Sequence, residues 1–70
     1  MINYQIPKSA KVILNIYDVN GKLVTTLVNG VQDAGKYSVE WKAGNNASGV
    51  YFYRINAGSF TDVKKMILAK

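Results

Sequence analysis

Apolar and polar residues alternate with a period of two along most of this chain, and no helical period of useful length interrupts them. Ile2, Tyr4 and Ile6 alternate with Asn3 and Gln5 until Pro7 closes the run, which suits an edge strand. Val12, Leu14 and Ile16 set one face of a second strand, with Ile13, Asn15 and Tyr17 on the other. Asn20-Gly21 follows, a pair that favours a type I′ hairpin turn, in which both central residues take positive φ. The returning strand, Lys22–Val28, places Val24 inward with either Thr26 or Leu27; the pattern supports both phases.

Gly30 and the Asp33-Ala34-Gly35 group then mark a loop. Tyr37, Val39 and Trp41 alternate with Ser38, Glu40 and Lys42, the signature of a half-buried strand. Residues 43–49 are turn formers throughout. Beyond them Tyr51, Tyr53 and Ile55 alternate with Val50, Phe52 and Arg54, and Gly58-Ser59 fits a type II′ turn with glycine at its first central position. A two-residue turn there pairs Ala57 with Phe60 and Tyr51 with Met66, which puts Phe60, Met66 and Leu68 on the face of the tyrosines. A bulge would instead turn Val63, Lys65 and Ile67 inward. Six to seven short strands with regular turns predict an all-β fold, a small two-sheet antiparallel sandwich.

Seventy residues, 49% of them apolar, make a single domain spanning 1–70. A domain of this size has a stability of roughly 3–10 kcal/mol. With neither Cys nor His in the chain, disulfides and the usual metal sites give no support, and nothing in the sequence asks for a cofactor. The apolar runs are far too short to span a bilayer as a helix, and no signal peptide opens the chain, so an exported parent would carry one elsewhere. The net charge of +5 comes from scattered lysines, the arrangement of a solvated surface. Only Lys64, Lys65 and Lys70 gather at one end, and Lys64 and Lys65, adjacent on a strand, face opposite ways.

Catalysis finds little to work with. The serines have no histidine to act as base, and Asp18, Asp33, Glu40 and Asp62 fall in separate strands and turns. Asp18-Val19-Asn20-Gly21 mimics the opening of a calcium loop but continues into Lys22-Leu23-Val24, so a plain hairpin is the simpler reading. Asn46-Ala47-Ser48 has the form of a glycosylation sequon and reads as turn composition. No Lys–Glu–Asn triple stands out for an intramolecular isopeptide bond. The stripe Tyr51, Phe52, Tyr53 with Arg54 could stack on a sugar or a single-stranded nucleic acid, but alternation sends the tyrosines to the core and disperses the lysines, which argues against nucleic acid.

Five segments carry a resemblance: Ile2-Asn3-Tyr4-Gln5-Ile6-Pro7, the run from Val12 to Gly21, the run from Ala34 to Trp41, Ser48-Gly49-Val50-Tyr51-Phe52-Tyr53-Arg54, and Lys64-Lys65-Met66-Ile67-Leu68-Ala69-Lys70. Together they resemble the type A C-terminal sorting domain of the type IX secretion system, found on exported proteins of Bacteroidetes. That family is in turn similar to the immunoglobulin-like (Ig-like) domain of flagellar hook-capping proteins. The resemblance implies an Ig-like sandwich at the end of a secreted parent, reaching the cell surface or medium through the periplasm. Its implied partners are the outer-membrane components of the secretion system, a cell-surface sortase and an N-terminal passenger domain. It implies recognition at Gly49 and Tyr51, as a Gly-x-Tyr motif, and at Lys65, Met66, Ile67, Leu68 and Lys70, as the terminal motif. Asp18 and Gly21 match a hairpin that serves the fold.

Two departures stand beside the resemblance. The Asn/Pro-rich linker that usually precedes such domains is missing, and Trp41 reaches Gly49 more quickly than in hook-capping relatives, which favours the sorting branch. A final strand that runs almost to Lys70 points the same way, towards a terminus that is itself read. The expected function is thus a non-catalytic sorting signal. The alternative is a structural or adhesive Ig-like module, hook-capping-like or a spacer, of a larger extracellular protein. An unprotected edge strand in so small a sandwich also offers a route to a homodimer.

Overall fold

The computed structural model describes residues 2–42, 44 and 46–69. Among them are six strands: β1 (Ile2–Ile6), β2 (Ala10–Asp18), β3 (Leu23–Gln32), β4 (Gly35–Val39), β5 (Gly49–Ala57) and β6 (Phe60–Leu68). They form two antiparallel sheets, a four-stranded one in the order β3-β2-β5-β6 and a two-stranded one of β1 and β4. The expected all-β sandwich is the observed class, with six strands.

The core lies where alternation put it. Val12, Leu14 and Ile16 are 0% exposed, and Ile2, Ile6, Tyr51, Ile55 and Ala57 complete the buried set. Each such large side chain contributes about 1.5–3 kcal/mol through burial. Among the described residues, all the buried ones belong to β1, β2 and β5; β3 and β6, the two rims of the larger sheet, contain none. Trp41 packs against this core, but β4 stops at Val39 and the tryptophan lies just beyond it.

The first hairpin differs from its expected form. Gly21 has φ +82°, but Asn20 does not have positive φ, so the turn is not type I′. Instead Val19, Asn20 and Gly21 form a three-residue loop closed by Gly21 N–H donating to the Asp18 carbonyl and Asp18 N–H to that of Lys22. This is a type I turn followed by a left-handed glycine. Asp18 selects it: its Oδ1 accepts from the backbone N–H groups of both Asn20 and Lys22 at 2.9 Å, holding Asn20 in ordinary turn geometry.

The ambiguous phase of β3 also has a physical cause. Leu14 pairs with Val28 but Asn15 with Thr26, and Ile16 with Thr25 but Tyr17 with Leu23, so Leu27 and Val24 are each an extra residue. Two β-bulges break the alternation, and Val24, Leu27 and Val28 all pack against the core while Thr26 stays exposed. Thr26 donates instead to the Asn15 side chain across the strand pair at 2.6 Å. Gly30, expected in a loop, sits inside β3 opposite Val12, and β3 continues to Gln32.

The Gly58-Ser59 turn is as expected. Gly58 has φ +62° and Ser59 does not have positive φ, and the register pairs Ala57 with Phe60 and Tyr51 with Met66 without a bulge. Met66 and Leu68 accordingly pack on the core, while Val63 and Ile67 remain 54% and 72% exposed on the opposite face.

Candidate functional site

The β5–β6 ladder assembles most of the residues singled out for recognition. Gly49 pairs with Leu68, Val50 with Ile67, Tyr51 with Met66 and Phe52 with Lys65. The pleat then divides them. Tyr51, Met66 and Leu68 face the core, whereas Lys65 and Ile67 project from the outer face of the sheet. Lys70, together with Met1, Ala43 and Asn45, lies outside the described residues.

Gly49 and Tyr51 have a clear local role. Gly49 takes φ +147°, in the region that favours glycine, and lets the chain enter β5 sharply. Two residues on, the Tyr51 hydroxyl donates back to the carbonyl of Ala47 at 2.6 Å. A tyrosine near the start of a strand, bonded to backbone a few residues upstream, is the tyrosine corner of Ig-like sandwiches. The same device occurs at Gly35-Lys36-Tyr37. Gly35 has φ +151°, and the Tyr37 hydroxyl donates to the carbonyl of Asp33. The repeated Gly-x-Tyr spacing was visible in the chain and is the signal that could have revealed this pair of corners.

Outside the core, two surfaces are built by the fold. On the outer face, the row Leu23–Tyr17–Phe52–Lys65 crosses all four strands of the larger sheet. Val19, Val63 and Ile67 extend the apolar part of this face, with Arg54 between Asn15 and Val63. On the inner side, an open trough of 590 Å³ lies between the two sheets. Its walls include Tyr4, Tyr37, Tyr53, Phe60, Asp62 and Lys64. The Tyr4 and Tyr37 rings stack there, 5.4 Å apart and 17° from parallel. Tyr4 donates to Gln32 Oε1 at 2.6 Å; burial pushes its phenol up, an effect opposed by that hydrogen bond and reinforced by Tyr37.

Sequence reasoning did not anticipate Asp62 and Lys64 on the trough side of β6. Their placement follows from the unbulged register, which sets Asp62 opposite Ile55 and Lys64 opposite Tyr53. Among the described residues, no group of three or more His, Cys, Asp or Glu could hold a metal ion.

The geometry of a small sandwich with tyrosine corners agrees with comparison against known families. Residues 2–59 match the FlgD Ig-like domain, well over half of the chain. The chain belongs to the FlgD Ig-like domain family. The match supports the Ig-like part of the resemblance and ends at Ser59, before β6 of this FlgD Ig-like domain begins. Comparisons with curated proteins and with solved structures found no match.

Proposed function

We propose that this FlgD Ig-like domain is a non-catalytic structural or adhesive module of a larger extracellular protein. The observation that carries the reading is the outer face of the four-stranded sheet. The domain fills its own core from the opposite face, yet leaves Leu23, Val63 and Ile67 51%, 54% and 72% exposed beside the aromatic Tyr17–Phe52 pair. Exposed apolar and aromatic side chains on one sheet face, with Arg54 and Lys65 interspersed among them, offer the kind of surface that marks an interaction site. Membership of the FlgD Ig-like family supports the same reading.

A second reading, a sorting signal for the type IX secretion system, is favoured by one further observation. The β5–β6 ladder sets Lys65 to Leu68 on the rim strand of the sheet, beside Gly49 and Tyr51 of β5, and an extended segment of the outer-membrane machinery could add to that rim as a further strand. In this reading an N-terminal passenger domain is delivered to the cell surface and handed to a sortase.

One experiment separates the two. A fluorescent passenger with a periplasmic signal peptide is fused to residues 1–70 and expressed in a host with an intact type IX system and in one lacking it. Equal distribution in both hosts, with the fusion folded, supports the module. Surface or medium fluorescence in the intact host alone overturns it in favour of sorting. Lys65→Ala and Ile67→Ser then test the terminal motif without touching the core.

A further inference from the structure

The two rims of the larger sheet are built differently. β3 is interrupted by bulges at Val24 and Leu27, a device that discourages edge-to-edge pairing. β6 has none: its register with β5 is continuous from Leu68 to Phe60, leaving an unbulged nine-residue edge whose outward N–H and C=O groups can pair. Such an edge invites a further strand, and the charges along β6 narrow which strand it can be. Asp62 and Lys64 lie two apart on one face of the edge, the trough side. Among the described residues, neither side chain has a hydrogen-bond or ion-pair partner.

We propose that β6 pairs antiparallel with β6 of a second copy of this chain, about a two-fold axis through Val63. Two identical antiparallel edges are related by an axis perpendicular to the sheet, so trough-side residues meet trough-side residues. With the axis at Val63, each Asp62 faces the other copy's Lys64, forming two opposite-charge cross-strand pairs. Phe60 faces Met66, a favourable sulfur–aromatic combination, and Thr61 faces Lys65 on the outer side. Neighbouring registers fail on charge. An axis at Asp62 sets carboxylate against carboxylate, and an axis at Lys64 or Lys65 sets ammonium against ammonium. Like charges thus reject the registers on either side of Val63, and the spacing of Asp62 and Lys64 admits the one between them. This inference goes beyond the proposed function, since it concerns the chain by itself and holds under either reading.

The test is the oligomeric state of residues 1–70, measured by sedimentation up to about 1 mM, because an interface of strand edges alone is small. A concentration-dependent dimer is expected. Asp62→Lys and Lys64→Asp, each made alone, should each weaken it by about tenfold or more, and the double charge swap should restore it to within about threefold. Circular dichroism checks that each variant is folded; both positions belong to the rim strand and neither is among the buried residues. In a separate pair of variants, Val63→Cys should cross-link the two copies under mild oxidation. Ile67→Cys should not, since its two copies would lie about 27 Å apart along the strands. A chain that stays monomeric, a dimer indifferent to the charge swap, or cross-linking through position 67 rather than 63 overturns the proposal.

Discussion

Trp41 meets Tyr51 edge-on, with ring centroids 4.9 Å apart and planes at 69°. The contact joins the end of the two-stranded sheet to β5 of the other and leaves the Tyr51 hydroxyl free to reach the Ala47 carbonyl. Apolar packing and a backbone anchor thus come from one side chain. Tyr51→Phe removes only the anchor and should cost about 0.5–1.5 kcal/mol. Tyr51→Ala removes both and should cost about 3–5 kcal/mol, enough to unfold much of the population at this chain length. Urea denaturation followed by circular dichroism distinguishes the two.

Gly35 and Gly49 open the two tyrosine corners at φ +151° and +147°, whereas Gly30 lies in β3 without positive φ. A Cβ at any of the three would meet nothing within 4 Å, so the difference between them is backbone strain and not crowding. Gly35→Ala and Gly49→Ala should each destabilise by about 1–3 kcal/mol. Gly30→Ala should be neutral or stabilise by up to about 1 kcal/mol. Equal thermal midpoints for the three variants would contradict the assignment.

The terminal motif combines two kinds of residue. Lys65→Ala and Ile67→Ser act on the outer face and should change stability by no more than about 0.5 kcal/mol. Met66→Ala acts on the core side opposite Tyr51 and should cost about 2 kcal/mol, near the low end of the range because the site is only half-buried. Deleting residues 66–70 would strip Met66 and Leu68 from the core, so a deletion reports on folding as well as recognition. Denaturant midpoints for the point variants check this division.

Burial raises the Tyr4 phenol above its ordinary value of 10.0, outweighing the lowering by the bond to Gln32. The folded state therefore keeps this proton at pH values where the unfolded chain has released it. Stability is fully present below pH 10 and should fall as pH rises above that value. Tyr4→Phe should flatten this part of the pH–stability curve, as read by denaturation at several alkaline pH values.

Much of the fold was legible because β-alternation is a local property. Val12, Leu14 and Ile16 are buried as their spacing required, and Gly58-Ser59 marked the last turn, while the β5–β6 ladder decided for the unbulged register over the bulged one that the sequence also allowed. Turn and bulge chemistry was less accessible. Asn20-Gly21 became a three-residue loop because Asp18 captured two backbone N–H groups, a choice between near-equal turns made by one side chain. The candidate surfaces were less accessible still. Ile67 was placed on its face by the ladder with β5, and Asp62 and Lys64 were brought beside a trough that needs both sheets to exist.

The sequence by itself determined the all-β class, the central core and the place of the final turn, since each depends on side chains a few positions apart along one backbone. The tertiary structure alone decided that β3 is bulged while β6 is not, and which face of β6 carries its opposite charges. These features depend on which strand lies beside which. That pairing is set by the burial of the whole core, and no local pattern records it.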